Sequence, residues 1–311
     1  MRVVFMGTPE FAVPSLDILF KNHTVLAVVT QPDRPKGRGQ KLAISPIKER
    51  ALKEDVPIFQ PEKVSDEGFV KELQALQPEV IVVVAFGQKI SRKILDIPVY
   101  GCINVHSSLL PRYRGAAPIN YAIINGDQET GVSTMYLNEE WDAGDIILQE
   151  KVAILPTDTA GDLHDRLMVK GAELLNQTLK LISEGKAPRI PQDHSLATYA
   201  PKLTKEQGKL DFNLTAEQAN FLIRGMNPWP VAYTYYKGER IKVWEAVVEE
   251  GVGNPGEIVK ISDEGIHLGT AQGIIILTKV QRENSRVMSA KDLANGLRLQ
   301  PGVFLGNAEG E

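Results

Sequence analysis

The first half of the chain alternates short apolar runs with amphipathic stretches, an order that predicts parallel strands joined by crossover helices. Residues 2–6 form an apolar run ending at Gly7, residues 24–30 run into Gln31-Pro32, residues 80–85 are almost unbroken Val and Ile, and residues 101–106 are a fourth run. A run as continuous as 80–85 suits a strand buried on both faces. Between these, residues 45–54 open with Ser-Pro, as an N-cap and first helical position should, and residues 65–76 open with Ser-Asp-Glu ahead of their apolar positions. Residues 131–137 add a further strand. Residues 159–185 carry Leu163, Leu167, Leu174 and Leu181 at helical spacing, with Gly185 as the stop. The pattern predicts an α/β domain: a Rossmann-like, mostly parallel sheet with helices on both faces.

After Gly185 the texture changes. Two prolines, Pro188 and Pro191, and little periodicity mark a linker. The expected division is residues 1–188, a linker at 189–203, and a second domain at 204–311. In that domain a helix at 215–225 gives way to the corner Asn227-Pro228-Trp229-Pro230. Short strand signals follow at 232–236, 240–245, 256–261, 265–269 and 274–280, separated by glycine-rich turns. Such spacing predicts a small, OB-like β-barrel, with Trp229 and Trp244 in its core.

Composition narrows the class. The chain of 311 residues is 43% hydrophobic and 24% charged, with no apolar run long enough for a membrane span and no signal-peptide pattern at its start. One cysteine, Cys102, leaves neither a disulfide framework nor a zinc cluster, and the five histidines show no ligand spacing. A reducing cytoplasm and no metal are the expectation. The net charge of −4 conceals a local excess. Arg34, Lys36, Arg38, Lys41 and Lys48 face only Asp33 across a loop punctuated by Pro35, Gly37 and Gly39. Arginine and lysine in such a loop can neutralise phosphates while glycines let backbone lie close to a nucleic acid.

The chemistry concentrates in residues 101–118, GCINVHSSLLPRYRGAAP. Asn104 and His106 are two apart on a strand, so they project from one face near its carboxyl end, where open α/β sheets place their sites. A carboxamide is a neutral donor for a developing oxyanion and an imidazole titrates near neutrality, a pair suited to attack of an amine on an acyl carbon. On their own the two residues fit a satisfied polar pair at a strand end equally well. Gly7-Thr8-Pro9 lacks the G-x-G-x-x-G fingerprint, which speaks against NAD and against an oxidoreductase.

The stretch SLLPRYRGAAPI closely resembles the signature of the folate-dependent formyltransferases, and its RGAAPI variant is most similar to the branch acting on methionyl-tRNA. GVSTMYLNEEWDAGDIILQE, at 131–150, resembles the same family's later motif and supplies Asp142; MRVVFMGTPEFAVPSL and QPDRPKGRGQKL match as well. The resemblance runs the length of the chain. It implies transfer of a formyl group from 10-formyltetrahydrofolate to the α-amine of methionine on initiator tRNA, with Asn104, His106 and Asp142 as the catalytic trio. In that scheme Asn104 and a protonated His106 donate to the oxyanion, and Asp142 orients the imidazole and assists removal of the amine's proton, through water. Ser108, Leu109, Leu110 and Pro111 match the folate-contacting loop; Phe86, Gly87 and Gln88 fit equally well the wall opposite them or a plain strand-to-helix turn with an N-capping role. Arg112 and Arg114 are expected on a phosphate, on the folate tail, or in solvent. Arg34, Lys36, Arg38 and Lys41 are expected on tRNA, with Arg38 at the family's key arginine. Lys205, Lys209, Arg224, Lys237, Arg240 and Lys242 are further candidates. A monomer is the family expectation. The same fold could instead serve an amino-sugar nucleotide formyltransferase, or a tRNA-binding protein without catalysis, which would have no need of all three catalytic residues.

Overall fold

The computed structural model describes residues 1–36 and 41–306. They divide into two units, one of Met1–Pro118, Glu129–Ala153 and His164–Ala200, the other of Ile119–Gln128, Ile154–Leu163 and Pro201 onward.

The first unit holds a seven-stranded sheet. Its strands are β1 (Arg2–Gly7), β2 (Thr24–Val29), β3 (Ile58–Phe59), β4 (Val80–Val84), β5 (Cys102–His106), β6 (Glu129–Tyr136) and β7 (Ile146–Ala153), in the spatial order β7-β6-β5-β4-β1-β2-β3. The strands from β3 to β5 run parallel, whereas β6 is antiparallel to β5 and β7 to β6. Every residue of β4 is buried, as its unbroken Val and Ile require in a central parallel strand. Each such side chain contributes about 1.5–3 kcal/mol by leaving water.

Four helices flank β1 to β5: α1 (Val13–Asn22), α2 (Pro46–Ala51), α3 (Glu67–Ala75) and α4 (Arg92–Leu95). Phe69, Val70 and Leu73 of α3 and Ile94 of α4 pack with Val4, Met6, Ile81, Val83 and Cys102, which alternate onto one face of the sheet. A later helix, α6 (Ala160–Ser183), follows α5 (Pro118–Ile124) in the chain and covers the other face. There Thr178 bonds Thr134 at 2.7 Å. A Cβ at Gly171 would stand 2.9 Å from Val105 Cγ1, so only glycine admits the helix this close to β5. The Val105 face of β5 is thus sealed, leaving its polar residues on the opposite face.

The stretch 189–203, expected as a linker, carries ordered pairings. Ile146 and Ile190 exchange two backbone hydrogen bonds, at 2.8 and 3.0 Å, and Tyr199–Ala200 pairs in parallel with Arg114–Gly115. The prolines break the periodicity there without freeing the chain, because backbone groups outside regular elements still find partners.

The second unit is an antiparallel sheet of β8 (Ala232–Tyr236), β9 (Glu239–Glu249), β10 (Ile258–Ile261), β11 (Ile266–Gly269) and β12 (Ile274–Arg282), in the order β8-β9-β12-β11-β10, with Met288–Ser289 pairing β12. The helix α7 (Ala216–Gly225) starts from a capping box of Thr215 and Gln218, and α8 (Ala290–Leu297) from a Ser289 cap. His267 is buried and tied on both ring nitrogens, to Ser262 at 2.8 Å and Glu249 at 3.0 Å. One expectation fails: Trp229 is 52% exposed. It lies in the proline-flanked corner between α7 and β8, where no strand register turns its ring inward. Trp244, on β9, is half-buried, and its Nε1 donates to Gln281.

Candidate active site

Asn104 and His106 share one face of β5, two residues apart. Their strand is pinned on both sides, by Val83 of β4 opposite Asn104 and by Met135 and Ser133 of β6 opposite Asn104 and His106. His106 is 6% exposed, and its Nε2 lies 2.9 Å from the carbonyl oxygen of Tyr113. A carbonyl only accepts, so Nε2 carries the proton and the other ring nitrogen is the one left for exchange. That nitrogen, Nδ1, lies 3.7 Å from Oδ1 of Asp142. The separation is longer than a hydrogen bond and short enough for a charged pair.

The carbonyl that fixes the imidazole is itself held by the loop after β5. Ser108 donates to the Arg112 carbonyl at 2.6 Å, Ser133 donates to the Ser108 carbonyl at 2.6 Å, and the Leu110 N–H donates to Ser133 at 3.1 Å. Gln149 donates to the Leu110 carbonyl at 3.0 Å, and the Tyr113 N–H donates to Thr198 at 2.8 Å. Tyr113 has φ of 58°, a left-handed turn that swings its carbonyl back toward the ring. Asp142 also sits in the left-handed region, at φ 52°, and its Oδ2 accepts the Gly115 N–H at 2.8 Å. Asn104 is 8% exposed, and its carboxamide has no protein partner among the described residues. Asn104, His106 and Asp142, the three residues that the motifs single out, therefore lie near one another at one end of β5.

The other expected residues divide. Ser108 and Leu110 are buried and serve the loop itself, Leu110 packing with Met135 and Ile146, while Leu109 and Pro111 are half-buried. Phe86 is 2% exposed and belongs to the core, and its carbonyl accepts from Thr8 and Gln31, each at 3.1 Å. Gln88 is engaged by the Val64 N–H and the Pro61 carbonyl. Because β4 and β5 are adjacent and parallel, the loops at 86–88 and 108–111 leave the sheet at the same edge. Arg114 is neither solvated nor free for an anion. It is 3% exposed and gives two hydrogen bonds to Gln192 Oε1, at 3.1 and 2.7 Å. Gln192 itself escaped the sequence reading, since an isolated glutamine in a proline-rich stretch has no local signature.

The flanks of the basic loop form a hairpin, Arg34–Lys36 against Lys41–Ala43. Its base is anchored by Asp33, which takes Lys48 and Gln60; the Lys48 hydrogen bond, more than any other contact, holds the Asp33 carboxyl below its ordinary range. Lys48 is thus bound to Asp33. Arg34 is exposed, and Arg38 lies outside the described residues. In the second unit Arg224 is drawn inward onto the Asp158 carbonyl, and Arg240 lies beside Glu283 and over the Tyr233 ring. Among the described residues no cluster of His, Cys, Asp and Glu could hold a metal, and no helix is long and apolar enough to cross a membrane.

The formyl transferase family model matches residues 1–179, and the formyl transferase C-terminal domain model residues 202–298. The methionyl-tRNA formyltransferase of Pelotomaculum thermopropionicum is 51% identical over 312 residues, covering 99% of each chain. That of Clostridioides difficile is 48% identical, over 98% of this chain and all of the relative. The chain belongs to the methionyl-tRNA formyltransferase family. Family membership makes it an enzyme of formyl transfer in translation initiation. Its fold recurs in an N-formyltransferase from Helicobacter canadensis, solved with folinic acid and dTDP-3-aminofucose, at a TM-score of 0.67 and 20% identity over 90% of this chain and 98% of that one. HypX from Aquifex aeolicus, solved with tetrahydrofolic acid, gives 0.63 and 16% over 99% of this chain and 51% of its own. At such identities these two share the fold alone with the formyltransferase described here.

Proposed function

We propose that this formyltransferase moves a formyl group from 10-formyltetrahydrofolate to the α-amine of methionine on initiator tRNA, with Asn104, His106 and Asp142 around the reacting carbon. The observation that carries the reading is the 3.7 Å approach of His106 Nδ1 to Asp142 beside a carboxamide with no protein partner among the described residues, in a chain 51% identical to a methionyl-tRNA formyltransferase. The donor supplies a one-carbon acyl group whose nitrogen leaves with the bonding pair and takes up a proton. The chain's own residues do the rest. Asn104 donates a hydrogen bond to the acyl oxygen as negative charge gathers on it. The attacking amine must lose a proton, since an ammonium has no lone pair. His106 Nδ1 and Asp142 Oδ1 form the acceptor, reached through water, because Nε2 is committed to the Tyr113 carbonyl. Asp142 also orients the ring.

Residues 86–88 and 108–111 fit a flat heterocycle by their shared edge of the sheet. They offer irregular backbone for its polar rim and Leu109 and Pro111 for its face. The basic loop from 33 to 42 supplies phosphate contacts through Arg34, Lys36, Arg38 and Lys41, and the domain from 204 to 311 supplies more. The enzyme works as a cytoplasmic monomer.

The test offers labelled formyl donor together with, in turn, charged initiator tRNA, charged elongator tRNA and a dTDP-amino sugar. Label is expected on the initiator alone. His106→Ala and Asp142→Ala should each cut turnover by about two orders of magnitude or more. Label on the sugar, or near-normal turnover in both variants, overturns the reading.

A further inference from the structure

We propose that Gln192 and Arg114 are positioning residues that clamp the turn carrying Asp142, so that its carboxylate meets the imidazole in one orientation. The proposal rests on the reading of Asp142 given above. Gln192 is 6% exposed, and its Nε2 donates to two carbonyls of that turn, Asp142 at 2.9 Å and Gly144 at 2.7 Å. Its Oε1 accepts from both Nε and Nη2 of Arg114, at 3.1 and 2.7 Å. One side chain therefore has its donors and its acceptor satisfied in opposite directions, a use that needs a carboxamide and no other group.

Arg114 makes the arrangement unusual. The residue is 3% exposed and no carboxylate is among its described partners, which are Gln192 and Nδ1 of His194 at 3.3 Å. Burying a cation without a carboxylate is costly, and the planar fork is what the position gains in return. The next residue in the chain, Gly115, gives its N–H to Oδ2 of Asp142 at 2.8 Å. A single two-residue segment thus grips Asp142 twice, through its side chain directly and through its main chain by way of Gln192. The grip matters because Asp142 holds φ of 52°, a conformation that a non-glycine residue keeps only where its surroundings insist. The Ile146–Ile190 hydrogen bonds tie the segment carrying Gln192 to β7 of the sheet, and farther along the same segment Tyr199–Ala200 pairs with Arg114–Gly115 in a separate two-stranded ladder.

Two variants test this in the full-length enzyme, with formyl transfer to initiator methionyl-tRNA as the assay. Gln192→Met keeps the volume and removes every hydrogen bond. Gln192→Glu still receives the Arg114 fork but turns oxygens on the two carbonyls, and it serves if Gln192→Met does not fold. The expected result is kcat lowered about 10- to 100-fold, the scale of a misplaced catalytic group, with KM for both substrates within about twofold. In an Asp142→Ala background the same substitution should cost nothing further, because the group it positions is gone. A role in folding alone would cost as much in that background as in the parent. Equal cost there, or unchanged kcat in both variants while Asp142→Ala is crippled, overturns the clamp and leaves the site reading standing. Near-normal turnover of Asp142→Ala overturns the site reading and the clamp with it.

Discussion

Replacing Gly144 by alanine should disable the enzyme through geometry rather than chemistry. Gly144 lies two residues beyond Asp142, and its φ is outside the left-handed region, so alanine is allowed there by the backbone. Space forbids it. The new Cβ would stand 1.7 Å from the Tyr136 carbonyl oxygen, where ordinary contact begins at 3.4 Å. That oxygen belongs to the last residue of β6, inside the sheet, and cannot swing aside as a side chain would. The turn must retreat by more than about 1 Å, and overpacking of this kind costs about 1–3 kcal/mol. The retreat also stretches the Gln192 bond to the Gly144 carbonyl, now 2.7 Å, and the Gly115 bond to Asp142, now 2.8 Å. Each is worth about 0.5–1.5 kcal/mol in a neutral setting and more to a carboxylate. A displacement of that size at a catalytic group costs about 100-fold in rate, or about 2.7 kcal/mol of barrier. Single-turnover formyl transfer and thermal unfolding, measured on the same preparation, separate the two effects. Gly68→Ala is the control: nothing lies within 4 Å of its added methyl in α3, so it should leave activity unchanged. A Gly144→Ala enzyme with kcat within twofold of the parent and an unmoved melting temperature would refute the reasoning.

Cys102 is 2% exposed, and burial, with a smaller push from Asp96, raises its thiol to a pKa of about 12. It should resist a disulfide reagent at pH 8 and react fully once denatured; rapid native labelling would contradict this. The unfolded thiol ionises near 8.5, so its contribution to stability is whole below that pH and is lost as pH rises toward about 12. Cys102→Ala should flatten the alkaline stability curve in that window. Arg38→Ala should impair formylation of intact initiator tRNA and spare a minimal aminoacyl substrate, and each lost phosphate contact should reduce the salt slope of tRNA binding by about one. Equal damage with both substrates would remove the role given to Arg38.

The elements that sequence revealed are those whose signal is local. β4 is apolar without interruption because both its faces are covered, and α6 repeats leucine over 24 residues. What stayed hidden lacked such a signal. α1 begins after Ala12, with no polar cap and a proline in its first turn. β3 is two residues long and half-buried. β7 is an edge strand in which half-buried and exposed positions alternate only after two buried residues, and it carries Gln149, Glu150 and Lys151. α8 has Gly296 inside it and is eight residues long. These elements are specified by the partners they meet, and tertiary context overrides a weak propensity.

The site shows the same division more sharply. The shared face of Asn104 and His106 was legible because a period of two is enforced by the pleat, whereas the role expected of them and of Asp142 came only from the motif resemblance. Nothing local announces that the Tyr113 carbonyl fixes the imidazole tautomer. That depends on Tyr113 adopting a left-handed turn and on Thr198, 85 residues away, accepting its N–H. Gln192 is more remote still, 50 residues beyond the carbonyl of Asp142 that it holds and 78 beyond Arg114. Arg114 looked like a surface charge awaiting an anion because its sequence neighbours are polar or small. Its fork is instead spent inside the protein, on a glutamine. A reactive group declares itself by its own chemistry and can be found from sequence. The residues that aim it are ordinary in type and become distinctive only through whom they touch, so the aim of Asp142 could be found only in three dimensions.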